Sequence, residues 1–208
     1  MIVWGIILIK KVRMKNRLIL LDNGHGKETS GKSSPVLEDG SQLFEYEFNR
    51  DIVRLISLEL DREKIDYVVL VPELKDVSLA ERVKRANAHH AECGKHSCLI
   101  SVHANAGGGT GFEVFTSVGQ TKSDEFAQIM FEAFKEEFPE QKMRSDRTDG
   151  DDDKESNFYI LKNTNCPAML TESFFMDNLQ DLKILMSEDG RTRIAKAHVN
   201  AIKKIVKL

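Results

Sequence analysis

The sequence predicts a single-domain α/β protein in which strands and helices alternate along the chain. Its 208 residues suit one domain of ordinary size. Hydrophobic residues make up 41% and charged residues 30% of the chain, a composition typical of globular proteins rather than disordered ones. Short apolar runs alternate with segments of helical periodicity, and neither an internal repeat nor a proline- and serine-rich linker divides them.

Five short apolar or β-branched runs predict the strands of this domain. Each run is bounded by glycine, proline or polar residues, which is typical of buried strands. The predicted strands cover residues 18–21, 67–71, 98–102, 112–115 and 168–170.

Apolar residues at helical spacing predict five helices between and after the strands. In the first helix they recur every three or four positions from Phe44 to Leu60. In the second, Ser78 is the predicted N-cap and Glu81 completes a capping box. The predicted helices cover residues 44–63, 79–92, 123–138, 180–186 and 191–206.

An acidic segment over residues 146–155 predicts a solvated surface loop. Asp149, Asp151 and Asp153 have the alternate spacing of a calcium-binding loop. The sixth position of such a loop is glycine and the twelfth is glutamate, but Lys154 and Ile160 stand there. The pattern therefore argues against a calcium loop of that type.

Residues 1–16 are predicted to be an extension outside the fold, and residues 17–208 to form the domain. The apolar run 2–9 is far shorter than the ~20 residues that cross a bilayer. Lys10, Lys11 and Arg13 follow this run, whereas a signal peptide carries its basic residues before the apolar part. We expect Met14 to be the natural start; a short packed strand or an interfacial tether is the alternative.

The charge balance and the cysteines exclude two classes of protein. A net charge of -3 provides no basic footprint for nucleic acid. Three cysteines, Cys93, Cys98 and Cys166, are too few for a disulfide scaffold. Cys93 and Cys98 could pair locally with His96 between them, but a metal or redox role is the less favoured alternative, because such a spacing is a weak signal by itself.

Three polar side chains follow predicted strands closely. His25 comes after the first strand, His103 directly after the third, and Glu172 after the last. The functional site of an open α/β sheet lies outside the carboxyl ends of its strands, so we expect these side chains to meet at one edge. Glu45 opens the helix after the glycine-rich loop and can join them.

These residue types suit a zinc hydrolase. Such enzymes bind the ion through three protein ligands of the His₂Glu kind and leave a fourth position to water. The ion lowers the pKa of that water toward ~7 and polarises the scissile carbonyl, while a further carboxylate takes the proton and returns one to the leaving amine. We therefore predict that His25, Glu45 and His103 are metal ligands and that Glu172 is the catalytic base.

Each of these residues also has an ordinary structural explanation. A single histidine at a strand end is more often a hydrogen-bonded residue of the fold. Glu45 suits the first turn of any helix, and Glu172 could cap the helix that follows it. Glu47 and Glu113 are rival carboxylates, although Glu47 faces elsewhere on its helix and Glu113 is expected to be a strand residue near the cleft. The joint pattern, rather than any one residue, carries the prediction.

Five segments match sequence motifs of one known family, in the same order along the chain. Its motifs are a Gly-His-Gly loop after a strand, a metal-binding glutamate four residues before an asparagine, a Ser-Leu stretch leading to Ala-Asn, a Ser-x-His-x-Asn-Ala strand end, and a Pro-x-x-Leu-x-Glu-x-x-Phe element. The matching residues are Gly24, His25 and Gly26; Glu45 and Asn49; Ser78, Leu79, Arg82, Ala86 and Asn87; Ser101, His103, Asn105 and Ala106; and Pro167, Leu170, Glu172 and Phe175. In these motifs residues 17–206 resemble the catalytic domain of the zinc-dependent N-acetylmuramoyl-L-alanine amidases, the family of many autolysins and phage endolysins. The chain departs from the family at Asn23, where proline is common, and at Thr171, and neither position is expected to hold the metal.

The resemblance implies a twisted, mostly parallel β-sheet flanked by helices on both faces, with one zinc ion. It implies hydrolysis of the amide between N-acetylmuramic acid and the L-alanine of the stem peptide by zinc-activated water. Residues 17–208 would then be the zinc amidase catalytic domain and peptidoglycan its polymeric partner. We expect a monomer that acts at the bacterial cell wall, in the periplasm or outside the cell, without a nucleic-acid partner or a membrane span. No cleavable signal peptide is clear, and prophage-type release would explain that.

Two other functions stay open at this point. One is a non-catalytic wall-binding module that kept the fold and lost activity. The other is a zinc peptidase that cuts within the stem peptide. The presence of all four predicted site residues argues against the first.

Overall fold

The computed structural model describes residues 16–208, so the predictions for residues 1–15 lie outside the described part of the chain. Within residues 16–208 one sheet of six strands runs through the domain. The strands are β1 (Leu18–Asn23), β2 (Tyr67–Val69), β3 (Ser97–Asn105), β4 (Phe112–Thr116), β5 (Lys154–Glu155) and β6 (Ala168–Phe175). Their order is β2-β1-β3-β6-β4-β5. Neighbouring strands are parallel except β4 and β6, so the mostly parallel sheet is confirmed.

The described chain contains six helices, of which four lie between strands and two follow β6. They are α1 (Glu45–Glu63), α2 (Leu79–Glu92), α3 (Lys122–Glu137), α4 (Tyr159–Asn163), α5 (Leu179–Met186) and α6 (Glu188–Ile205). The Ser78 hydroxyl accepts a hydrogen bond from the Glu81 backbone N–H at 3.3 Å, which confirms the predicted start of α2. Among residues 16–208, no helix is long and apolar enough to cross a membrane.

Both faces of the sheet are buried, because successive side chains of a strand point in opposite directions. In β1, Ile19 and Leu21 pack into the larger core, which also contains apolar residues of α1, α3, α5 and α6. Leu18 and Leu20 pack into a second core with residues of α2 and α4. The prediction of helices on both faces is therefore confirmed.

The strands that carry the site are longer than the sequence predicted. β3 continues past His103 to Asn105, and β6 continues past Glu172 to Phe175. His103 and Glu172 therefore lie within strands rather than just after them. The hydrogen-bonded register between β3 and β6 continues on both sides of this pair. The short elements β5 and α4 were missed. Two residues of strand and five of helix are too few to produce a recognisable period.

The prediction of a solvated loop over residues 146–155 was wrong in its second half. The exposed fraction is 5% for Asp152 and 2% for Asp153. Pairing of β5 with the edge of β4 draws this end of the loop inward, and Asp153 accepts a hydrogen bond from the Thr116 hydroxyl at 2.6 Å. Composition alone does not reveal such an anchor.

All three cysteines are free thiols, so the local Cys93–Cys98 pairing does not form. Cys98 and Cys166 are buried, and burial raises the pKa of both thiols. A thiol held in its neutral form is a poor nucleophile and a poor metal ligand, so these two residues act as small apolar side chains.

Candidate active site

Three of the predicted site residues converge at the carboxyl end of the parallel strands. His25 Nε2 lies 3.2 Å and His103 Nδ1 lies 2.9 Å from the same oxygen, Oε1 of Glu45. One ligand atom from each side chain can be chosen so that all lie within 4.8 Å of one another. The two imidazole rings meet edge to face with centroids 4.9 Å apart. The arrangement is a group of His, Glu and His side chains that can hold one metal ion.

His25 is held by its backbone in a conformation that favours this convergence. Its φ is +63°, in the left-handed region that a non-glycine residue adopts only at a cost. Two arginines secure the strained residue, since its carbonyl oxygen accepts from Arg50 Nη1 at 3.1 Å and from Arg82 Nη2 at 3.0 Å. The side chain therefore leaves the loop toward the sheet edge in a fixed direction.

Gly24 leaves room for the second histidine. A Cβ atom at position 24 would lie 2.0 Å from Cε1 of His103, well inside van der Waals contact. The Gly24 carbonyl accepts from Asn49 Nδ2 at 3.0 Å, which ties this loop to α1 one turn after Glu45. Gly24 is thus required by the packing of the His103 ring.

The far nitrogen of His103 is fixed by a short relay. Ser101 Oγ donates to Asp22 Oδ2 at 2.6 Å and therefore offers a lone pair to His103 Nε2, 3.1 Å away. This assigns the N–H of a neutral ring to Nε2 and leaves the Nδ1 lone pair free to bind a metal. Metal-binding histidines usually donate their other N–H in this way. Asp22 thus reaches His103 through the serine.

Glu45 is the buried centre of the group. It is the first residue of α1, with 1% of its surface exposed. Burial opposes ionisation of this carboxyl, but hydrogen bonds from His103 and His25 hold its pKa well below the usual range. Its second oxygen, Oε2, is buried without a hydrogen-bond partner, and Lys32 Nζ lies 3.9 Å away. For His103, burial lowers the pKa but the bond to Glu45 outweighs it, so that pKa is raised.

Glu172 lies beside the group without belonging to it. It pairs in register with His103 across β3 and β6, so the two residues are neighbours at the same height in the sheet. It is not one of the residues whose ligand atoms cluster within 4.8 Å. Burial raises its pKa to about 7, and its Oε2 is buried without a partner. Such a carboxyl can take up and release a proton near neutral pH.

The rival carboxylates have other partners. Glu47 is exposed and accepts a hydrogen bond from the Tyr46 hydroxyl at 2.7 Å. Glu113 is buried, 4% exposed, and pairs with Arg144 and with Lys154 Nζ at 2.9 Å. Glu113 is also the register partner of Glu172 across β4 and β6. Neither residue contacts the histidines.

Arg82 is the residue to which sequence reasoning assigned no role. Its side chain is buried and reaches from α2 to the end of β1, where Nη1 lies 2.6 Å from Asp22 Oδ1 and 3.0 Å from the Asn23 carbonyl. The same guanidinium holds the His25 carbonyl, as described above. In the sequence, the one signal for Arg82 was its position in the family motif. The motif does not show that this arginine, on one side of the sheet, supports the loop at the sheet's edge.

A cavity of about 390 Å³ opens at this group. His25, His103, Glu172 and Lys32 line one side of it. The opposite side consists of the start of α2 and the region of α4, where Leu79 is 51% and Tyr159 46% exposed. The cavity joins polar, ionisable side chains to an accessible apolar wall, which is the usual composition of a substrate site.

Comparisons with known proteins place this chain in one family. A family model described as N-acetylmuramoyl-L-alanine amidase matches residues 19–204. The N-acetylmuramoyl-L-alanine amidase CwlM of Bacillus licheniformis is 31% identical over 194 residues, which cover 91% of this chain and 69% of the relative. The endolysin of Bacillus phage SPP1 is 27% identical, covering 93% and 67%.

A solved structure shows the same fold. The N-acetylmuramoyl-L-alanine amidase from Clostridium difficile 630 superposes with a TM-score of 0.77 at 24% identity, covering 92% of this chain and 97% of that one. At this identity the structural likeness shows the fold alone. The family model and the Bacillus licheniformis relative show to which family the chain belongs. The chain belongs to the N-acetylmuramoyl-L-alanine amidase family.

Proposed function

We propose that this chain cleaves the amide between N-acetylmuramic acid and L-alanine in peptidoglycan, with one zinc ion held by His25, Glu45 and His103 and with Glu172 as the base. Family membership supports the reaction. The assignment of the ion and of each residue's role rests on the geometry of the site. The observation that carries it is the shared contact of both histidines with one oxygen of Glu45.

The donor set fits zinc. Two imidazole nitrogens and one carboxylate oxygen are ligands that zinc accepts, and a three-ligand site leaves a further position open, as in catalytic zinc sites. The partnerless Oε2 of buried Glu45 fits a site that binds a cation, because a buried carboxylate oxygen without a donor is costly. Hard ions such as calcium and magnesium prefer oxygen ligands, so the two histidines favour zinc over them.

A zinc ion bound there would supply a Lewis acid that polarises the scissile carbonyl and lowers the pKa of the attacking water. Glu172 takes a proton from that water while the oxygen of the water attacks the carbonyl carbon of the lactyl group. When the C–N bond breaks, Glu172 returns the proton to the nitrogen of the departing L-alanine. A carboxyl whose pKa burial raises to about 7 suits both transfers near neutral pH.

The remaining residues of the site orient this chemistry. The Asp22–Ser101 relay keeps the Nδ1 lone pair of His103 directed at the ion. Arg50 and Arg82 hold the His25 backbone. The open side of the cavity, past Leu79 and Tyr159, admits a polymeric substrate. Action at the cell wall agrees with the related amidase and endolysin. The monomeric state, the export route and the domain boundary at residue 17 stay predictions.

Digestion of purified peptidoglycan tests the reaction. Mass spectrometry of the products should find free lactyl carboxylates together with free L-alanine amines. New ends within the stem peptide would instead indicate a peptidase. Binding without any release would indicate a non-catalytic wall-binding module.

Three variants test the roles of the residues. Glu172→Gln keeps the shape of the side chain, so zinc content should stay normal while turnover falls by about 10²–10⁴-fold, the usual share of general acid–base catalysis. His25→Ala should lose zinc and activity together. Glu47→Gln removes the same charge from an exposed site and is the matched control, with both properties unchanged. Near-normal turnover in Glu172→Gln would remove Glu172 from the mechanism.

A further inference from the structure

A second group of carboxylates lies at the far edge of the sheet, away from the His–Glu–His group. Asp151 and Asp153 come from the loop that leads into β5, and Asp124 comes from the first turn of α3. The Thr116 hydroxyl at the end of β4 lies beside both Asp153 and Asp124, but its single proton is donated to Asp153 Oδ2 at 2.6 Å. A strand end, a loop and a helix start therefore bring these oxygens near one another. Within residues 16–208 only the His–Glu–His group has three such ligand atoms within 4.8 Å of one another, so these three carboxylates stand further apart.

Asp124 and Asp153 are buried, Asp151 is half-buried, and each of the three has one oxygen without a donor. The exposed fraction is 2% for Asp153 and 7% for Asp124. One oxygen of each of Asp124, Asp151 and Asp153 is buried without a hydrogen-bond partner. The side chains of Asp151 and Asp153 also approach each other within hydrogen-bonding range, although two ionised carboxylates cannot share a hydrogen bond. Each partnerless oxygen costs free energy unless a proton or a cation meets it.

No cationic side chain of residues 16–208 neutralises this group. The neighbouring cations pair elsewhere: Arg147 with Asp152, Lys154 with Glu113, and Lys122 with Glu125. None of the ion pairs in this part of the chain includes Asp124, Asp151 or Asp153. Burial raises the pKa of Asp153 to about 7, and the charges of Asp151 and Asp124 add to this effect. The folded chain thus concentrates negative charge where it has supplied no positive charge of its own.

We propose that Asp124, Asp151 and Asp153, with the Thr116 hydroxyl oxygen, bind a hard divalent cation of the calcium class. The ligands are all oxygen atoms, three of them from carboxylates, which is the set that calcium prefers. The cation would draw the carboxylates together, because they repel one another without it. This is not the calcium loop that the sequence excluded, since a helix residue far along the chain replaces the missing loop ligands and Asp149 remains exposed.

The position of this site connects it to the cleft. Lys154 lies between Asp153 and Glu155 in the chain and points the other way, toward Glu113, the register partner of Glu172. Tyr159, four residues after Glu155, lines the cavity. A cation at Asp153 would therefore fix the strand that supports one wall of the cleft. The proposal is independent of the roles proposed for the His–Glu–His group.

Calorimetric titration of calcium chloride into zinc-saturated protein tests the proposal, with thermal unfolding measured in parallel. We expect one calcium per chain and a melting temperature raised by about 5–10 °C at calcium 100-fold above its dissociation constant. Asp153→Asn and Asp151→Asn should each weaken calcium binding by about tenfold or more, on the scale of ligand-shell substitutions. Asp149→Asn, an equal loss of charge from an exposed residue of the same loop, should leave binding unchanged.

Two results separate this site from a structural role and from the zinc site. Without calcium, Asp153→Asn should melt no lower than the original protein, because it removes a repulsive charge while an amide oxygen can still accept from Thr116. His25→Ala should keep its calcium binding. The proposal is overturned if calcium produces neither heat nor a shift in melting temperature, or if Asp149→Asn weakens binding as much as Asp153→Asn does. The carboxylates would then share protons instead.

Discussion

Replacing Arg82 by methionine tests whether one buried guanidinium holds the metal-binding loop in place. The side chain of Arg82 is 2% exposed, as is that of its partner Asp22. Methionine fills much of the same volume but removes the bonds to Asp22, to the Asn23 carbonyl and to the His25 carbonyl. Asp22 would be left as a buried charge with only the Ser101 hydroxyl as a donor.

The expected loss of stability is large. Breaking a buried ion pair by removing one partner costs about 3–5 kcal/mol. In a protein of this size each 1 kcal/mol shifts the melting temperature by about 2–4 °C, so Arg82→Met should melt about 10 °C lower. Zinc affinity should fall by about 10–100-fold, the usual effect of losing support behind a metal ligand. Arg50 still holds the His25 carbonyl, so binding should weaken without vanishing.

Arg85→Met on the same helix is the matched control. Arg85 pairs with Glu73 at 2.8 Å, but both side chains are partly exposed, so the change should cost about 1 kcal/mol or less. Thermal unfolding and competition for zinc with a chelating dye measure both effects. The reasoning is refuted if Arg82→Met melts within 2 °C of Arg85→Met, or if it keeps full zinc affinity despite a lower melting temperature.

Three further predictions concern the site and the core. Gly24→Ala should impair zinc binding, measured by dialysis against buffered zinc, because the new methyl group would overlap the His103 ring; unchanged affinity would mean that the ring can move aside. Ser101→Ala should weaken zinc binding by about tenfold, since the relay that directs His103 Nδ1 is lost, and equal affinity in this variant would contradict the assigned ring orientation. Burial lowers the pKa of His198 to about 4, so the unfolded chain takes up a proton between pH 6.5 and 4 that the folded chain refuses. Stability should therefore fall by about 3 kcal/mol across that range, and denaturant titrations of His198→Gln should show a flatter dependence on pH.

The sequence alone determined the fold class and most of the site. Alternating strand and helix patterns are local properties of the chain, and within residues 16–208 they identified every strand except β5 and every helix except α4. Strands that run parallel end at the same edge, so the sequence pattern by itself predicts that His25, His103 and Glu172 lie together. Their metal-binding and catalytic roles stay predictions that the structure supports by proximity.

Only the tertiary structure decided what holds these residues and what else the fold brings together. The contacts that orient His103 and His25 join residues far apart in the chain, as in Ser101 with Asp22 and Arg82 with the His25 carbonyl. The same is true of the buried carboxylates at the other edge, where an apparently solvated acidic loop packs onto the start of α3. Local patterns report which face of a strand or helix is apolar, whereas the partner of a buried polar group depends on which distant elements pack against it.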